Sequence, residues 1–270
     1  MKIAFLGGGN MAGALIGGLV AKGHDASRIS VIELSPAARE KLAARYPVRV
    51  TTAPDVAMKG ADTLVLAVKP QDMKAALASL GSEVRSALVI SIAAGITLDA
   101  LSRWLGGHRK LVRCMPNTPA LIGAGITGLY APPEVNAEDR KKAETILGAV
   151  GEVVWLAEER LLDPVTAVSA SGPAYVFWFI EQLAASGEKL GIPKDTALKL
   201  ALHTVMGSAR LAVEKGESPE TLRKQVTSKG GTTEAALKVF DEEKLAERFA
   251  RAIQAASRRG EELGKEQGKD

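Results

Sequence analysis

Residues 5–18 read FLGGGNMAGALIGG, and within them Gly7, Gly9 and Ala12 form a G-x-G-x-x-A spacing. The spacing follows a short apolar run and opens a stretch of helical period. Each position has a physical reason if a pyrophosphate is held there. Gly7 permits a turn that a side chain would block, Gly9 lets a phosphate approach the backbone, and Ala12 lets the helix pack closely on the strand. Asn10 and Met11 lie in the first helical turn, whose N–H groups have no partner within the helix and attract an anion. The same glycines also suit a tight turn with no ligand. A second signal weighs against that. Glu33 ends the next apolar run, about 20 residues on, where the dinucleotide fingerprint places an acid. A carboxylate there accepts from a ribose 2′-hydroxyl and repels a 2′-phosphate, which favours NADH over NADPH. Ser35 follows at the head of a helix, and Arg39 is one helical turn further and still within reach. The alternative for Glu33 is an exposed residue at a strand end.

Further candidates fall at the ends of other apolar runs. Val68, Lys69 and Pro70 end TLVLAVKP, and Ala93 and Ala94 end the run that closes in SIAAG. In an open parallel sheet ligands collect at the carboxyl ends of strands, so these residues suit a nicotinamide wall. Lys69 reads equally as a ribose or phosphate contact and as a surface residue. Small residues also serve plain packing. Asn117 and Thr118 lie in MPNTP, where two prolines stiffen a loop that orients a nicotinamide or substrate, or merely connects. Ser171, in SASGPAYVF, reads as a helix N-cap or a substrate contact. Gly230 and Gly231 precede Thr232 and Thr233 at the start of another helix, an anion site or a simple turn and cap. The three histidines, His24, His108 and His203, receive no catalytic role, and Cys114 reads as a small buried residue.

The elements that must position these residues form two blocks. Up to about residue 162, runs such as 2–7, 29–34, 63–68, 87–93 and 110–115 alternate with helical stretches at 10–22, 36–45, 71–80 and 97–104. Strands 125–130 and 151–156 flank a helix at 136–148. Such alternation predicts a doubly wound α/β domain with a parallel sheet. From residue 163 to 270 only helices are expected, over 164–190, 193–215, 218–226, 232–240 and 242–262. The tail GKEQGKD is expected to fray.

Composition narrows the function classes. Among 270 residues, 35 basic and 31 acidic side chains are interspersed and aromatics make up 4%, so stacking on nucleic acid is poorly provided for. Arg248, Arg251, Arg258 and Arg259 read as a solvated helix face. No apolar run is long enough to span a bilayer. A single cysteine precludes an intrachain disulfide and fits a reducing compartment. With strand pattern starting at once, a cytoplasmic protein is expected.

The motifs, taken in order, resemble those of the pyrroline-5-carboxylate reductase family. They are FLGGGNMA (5–12), AVKPQ (67–71), SIAAGI (91–96), RCMPNTP (113–119), GAGITGLY (123–130), SASGPAYVF (169–177) and VTSKGGTTEAAL (226–237). The resemblance covers nearly the whole chain, with Ala170 where the family commonly has glycine. It implies a Rossmann domain followed by an all-α dimerisation domain, NADH or NADPH as cofactor, and hydride transfer to the C=N carbon of 1-pyrroline-5-carboxylate to give L-proline. By resemblance, the amides of Gly231, Thr232 and Thr233 hold the substrate carboxylate and the Thr233 hydroxyl meets the ring nitrogen as the catalytic contact. The helical domain would interlock with a second copy, and such dimers allow further assembly.

Two rival readings are weaker. A β-hydroxyacid dehydrogenase needs a proton-carrying lysine on the first long helix of its second domain, where this chain has Lys189 only at the far end. A non-catalytic NAD(P)-sensing module leaves the doubled glycine before Thr232 without a purpose.

Overall fold

The computed structural model describes residues 1–268. Its chain divides into two compact units, one of Met1–Ser171 with the C-terminal turns from Ala256, the other of Gly172–Ala255.

In the first unit β1 (Ile3–Leu6) leads into α1 (Asn10–Ala21), and β2 (Ile29–Ile32) into α2 (Pro36–Arg45). Next come β3 (Arg49–Thr51), α3 (Pro54–Met58), β4 (Thr63–Leu66) and α4 (Met73–Ala78). Then follow β5 (Leu88–Ser91), α5 (Leu98–Trp104), β6 (Leu111–Met115), β7 (Gly125–Tyr130), α6 (Ala137–Leu147) and β8 (Gly151–Trp155). The eight strands form one sheet in the order β3-β2-β1-β4-β5-β6-β7-β8. All neighbours are parallel except β6 and β7, which run antiparallel. The wholly parallel sheet expected from the alternation is corrected there. Between Met115 and Gly125 there is only a short 3-10 turn at Thr118–Ile122 and no crossover α-helix, so the chain turns back beside the strand it has just left, as a short connection requires.

Alternation along the strands builds a core on each face of the sheet. Ile3 and Phe5 of β1, Val65 of β4, and Leu88 and Ile90 of β5 join Leu15, Ile16 and Leu19 of α1 and Ile146 and Leu147 of α6. Their neighbours Ala4, Leu6, Leu64, Leu66 and Val89 point the other way, onto Met58, Met73, Leu77 and Leu101. Strands buried on both faces read as continuous apolar runs, which is why the sequence shows them clearly. Strand β3 has only three residues and no such run, and neither it nor α3 is anticipated by the periodicity.

The helical stretch expected at 164–190 is interrupted. Helix α7 (Leu162–Val165) passes into a π-turn at Thr166–Ala170, and α8 (Gly172–Lys189) continues from it. The sequence boundary at 162/163 therefore falls at the head of a helical run that packs with the first unit as far as Ser171. Helices α9 (Lys194–Lys215), α10 (Pro219–Gln225), α11 (Thr232–Glu242) and α12 (Leu245–Gln267) complete the chain. Helix α12 runs on through Gln267, so the tail expected to fray is helical there; Lys269 and Asp270 lie outside the described residues. Within the second unit Ala184, Ala197 and Ala201 are the buried helical residues, whereas Phe177, Trp178, Phe179, Leu202 and Met206 are exposed. Among the described residues no helix is long and apolar enough to cross a membrane.

The glycines of α1 differ in what surrounds them. A Cβ on Gly18 would lie 2.6 Å from the Ala149 carbonyl oxygen, whereas one on Gly13 would meet nothing within 4 Å. Backbone cannot yield as a flexible side chain can, so Gly18→Ala is expected to destabilise by ~1–3 kcal/mol. Gly13→Ala is expected to gain up to ~1 kcal/mol through helix propensity. Urea midpoints at fixed protein concentration check the pair, and shifts in the same direction would contradict this packing.

Candidate active site

The glycine turn sits where the sheet order reverses, with β1 between β2 and β4. The Gly7 amide donates to Ile32 O at 2.9 Å, and the Ala67 amide donates to Leu6 O at 2.8 Å. Gly7 has φ +99°, and a Cβ there would lie 2.8 Å from the Ala67 carbonyl oxygen. Only glycine serves at this position. Gly9 has a different reason. It is the N-cap of α1, offers no side-chain cap, and a Cβ on it would meet no atom within 4 Å. The space in front of it is open, as a phosphate approaching free helix amides needs. Asn10 is exposed and Met11 half-buried beside it.

The Glu33 carboxylate is already engaged by main chain. Its Oε2 accepts from Gly8 N and its Oε1 from Ser35 N, both at 2.8 Å. It thus straps the glycine turn to the β2–α2 loop. Each oxygen keeps further lone-pair capacity for a ribose hydroxyl. Ser35 caps α2, its hydroxyl accepting from Ala38 N at 3.4 Å, and Arg39 donates to Leu34 O at 2.7 Å and to Glu33 O at 3.2 Å. Arg39 therefore braces the loop from behind.

A cavity of about 780 Å³ opens in front of these groups. It brings together Gly7, Gly9, Glu33, Ser35, Val68 and Lys69, as their places at strand ends predict. Its wall also includes Thr52 and Pro54 after β3, and Asp72, Ala76 and Ser79 around α4, none of which the sequence singled out. Their only signal is position after a strand end, and β3 itself was not visible. A pyrophosphate turn, an acid at the second strand and a roomy cleft across the reversal point fit a dinucleotide. Pro70, half-buried, Ala93, buried, and Ala94, half-buried, stand outside this cavity. The loop carrying Ala93 and Ala94 is backed by α12: a Cβ on Gly264 would lie 2.9 Å from Gly95 O.

Asn117, read from the sequence as orienting a nicotinamide or substrate, is held by the protein at both ends of its side chain. The side chain is buried, its Oδ1 accepts from Ile126 N at 3.0 Å, and its Nδ2 donates to Ser169 O at 3.3 Å. Each end of the carboxamide makes one bond to the protein and keeps one further donor or acceptor position. Four residues earlier, on β6, buried Arg113 pairs with Glu159 at 3.1 Å and Asp163 at 3.2 Å. The Glu159 carboxylate also accepts from Leu98 N at 2.8 Å, at the head of α5. Cys114 Sγ donates to Ser91 O, and burial pushes its thiol far above the ordinary range, so it is no nucleophile. Burial likewise lowers the pKa of His108 and of His24.

Ser171 is not an N-cap. It has helical φ and ψ, and its amide donates to Thr166 O at 2.9 Å, five residues back. In the second unit, α11 begins with Gly231 as N-cap and no side-chain cap. The Gly231 amide donates to Ser228 O at 3.0 Å, so it is not free to hold a carboxylate as the resemblance implies. A Cβ on Gly231 would lie 2.4 Å from Ser228 Oγ, which can rotate away, and 3.0 Å from Ser228 O, a tight approach to backbone. Glu234 folds back to accept from Gly230 N at 2.7 Å and holds the turn. The orphan amides at this helix end are then those of Thr232 and Glu234, both exposed, and Thr233, half-buried. Among the described residues no cluster of His, Cys, Asp or Glu could hold a metal.

The fold and the cradle define a two-domain oxidoreductase of Rossmann type that uses a nicotinamide dinucleotide. Its first half matches the family described as NADP oxidoreductase coenzyme F420-dependent, over residues 2–95. Its second half matches the pyrroline-5-carboxylate reductase dimerisation family over residues 159–263. Pyrroline-5-carboxylate reductase of Pseudomonas aeruginosa is 44% identical over 268 residues, covering 99% of this chain and 98% of that protein. The Escherichia coli enzyme of that name is 39% identical, covering 98% of each. Among solved structures, a pyrroline-5-carboxylate reductase from Coxiella burnetii superposes with a TM-score of 0.90 at 41% identity, covering 97% of this chain and 98% of that one. That from Plasmodium falciparum, with NADP bound, gives 0.84 at 26% identity, covering 98% of each. The chain belongs to the pyrroline-5-carboxylate reductase family.

Proposed function

We propose that this protein reduces 1-pyrroline-5-carboxylate to L-proline with a reduced nicotinamide dinucleotide, as the last step of proline biosynthesis in the cytoplasm. Family membership carries the reaction, and the single structural observation behind it is the glycine turn pinned at Gly7 beside the open face of Gly9. Gly7, Gly9, Asn10 and Met11 would hold the pyrophosphate, and Glu33 with Ser35 the adenosine ribose. Val68, Lys69, Pro70, Ala93 and Ala94 would line the nicotinamide half. The bound dinucleotide supplies a hydride from C4 of its nicotinamide.

The substrate needs little acid catalysis, because a protonated C=N is already electrophilic. The free amides of Thr232 and Thr233 would hold its carboxylate at the head of α11. The Thr233 hydroxyl would hold the ring nitrogen, to which the C=N electron pair withdraws as the carbon is reduced. Ser171 would complete the substrate contacts. Placement and exclusion of water then supply most of the rate. Two copies would interlock through the helical units, whose apolar faces are exposed in the single chain, and dimers would assemble further.

For the cofactor, a negative charge at Glu33 favours NADH over NADPH. Initial rates test the proposal: NADH oxidation is expected only when pyrroline-5-carboxylate is present. Thr233→Ala should lower kcat by ~10–100-fold, the worth of one hydrogen bond to a charged group, with KM for NADH within about twofold. Oxidation without substrate, or equal loss of NADH affinity, would overturn the roles assigned. Glu33→Ala is expected to lower the NADH:NADPH ratio of kcat/KM by about tenfold; an unchanged ratio would remove Glu33 from the ribose site.

A further inference from the structure

The π-turn before α8 has a partner problem. In an α-helix the donor to Ser169 O would be the N–H of residue 173, and residue 173 is a proline with none. The Ser171 amide reaches five residues back to Thr166 O, and the hydroxyls of Thr166 and Ser169 turn inward to Leu162 O and Val165 O. The donor that Pro173 cannot give comes from the Asn117 carboxamide, whose other end is fixed by Ile126 N of β7. Ser169 is half-buried, and a carbonyl shielded from water without its helix donor is costly, so this contact helps hold the turn in one form. Such π-turns are commonly placed at functional sites.

We infer that Asn117 is a positioning residue of the reductase: its carboxamide replaces the missing Pro173 N–H and so fixes Ser171 against the sheet. The kinetic consequence rests on the reading of Ser171 as a substrate contact. The action on the turn does not.

Asn117→Asp is the sharpest test, because it keeps the acceptor for Ile126 N and replaces the donor to Ser169 O with a second acceptor. The expected result is faster hydrogen exchange at the Ser171 amide and KM for pyrroline-5-carboxylate raised by about tenfold or more, since small displacements of a positioned group are felt strongly. KM for NADH stays within about twofold. Pro173→Ala restores an N–H to Ser169 O, so in that background the cost of Asn117→Asp should shrink, which a merely cofactor-contacting side chain would not show. If the single variant fails to fold, the double variant carries the test. A raised KM for NADH with unchanged exchange would overturn the inference, as would the absence of compensation by Pro173→Ala. Ser171→Ala separates the two claims: an unchanged substrate KM there overturns the kinetic consequence, and the exchange rates decide the action on the turn.

Discussion

The close pass of the β1–α1 turn over the end of β4 is the constraint on which the site depends. The Ala67 carbonyl stands where a Cβ of residue 7 would be, and the backbone at residue 7 is left-handed. Only glycine lets β1 end between β2 and β4 and turn directly into α1. That turn presents the open face of Gly9, and Glu33 ties it from the side through Gly8 N. The cleft at the reversal of strand order follows, with its far wall supplied by α4 and the loop after β3. Without the tight turn, the free amides at the head of α1 would not face the cleft.

The first unit also fixes what lies beyond the cofactor cleft. Strand β6 and the turn that follows it carry two buried grips in succession. Arg113 holds Glu159 and Asp163, and Asn117 holds Ser169. A buried charge with two carboxylate partners is costly to break, since removing one partner strands the other. Glu159 extends the connection to the head of α5, just past the small-residue loop of Ala93 and Ala94. The helical unit is built differently. Its α8 and α9 meet through small residues, with Gly187 beside Ala197, and its large apolar side chains remain uncovered in one chain. Such a face suits association of copies, in keeping with the dimerisation family it matches.

Much of this was legible from residue order because strands buried on both faces are continuous apolar runs and because the glycine spacing has few uses. Strands β1, β2, β4 and β5, the helix after each glycine or cap, and the cleft residues Gly7, Gly9, Glu33, Val68 and Lys69 follow from such signals. What stayed hidden depends on contacts distant in sequence. The three-residue β3 has no run to show, so Thr52 and Pro54 went unseen. The reversal at β7 follows from a connection with no crossover helix. The π-turn follows from a proline whose missing N–H is met by Asn117, 52 residues away. The same distance hid the structural bonds of Asn117, and the bond from Gly231 N to Ser228 O hid the reduced set of free amides at α11.

The central claim is that the turn at Gly7 exists to hold a dinucleotide. Titration of NADH into Gly7→Ala, followed by cofactor fluorescence with far-UV circular dichroism as the control for folding, tests it most directly. The account predicts a folded protein whose affinity falls by at least about tenfold, equivalent to ~1.4 kcal/mol. A folded Gly7→Ala protein that binds NADH as tightly as the parent would contradict it.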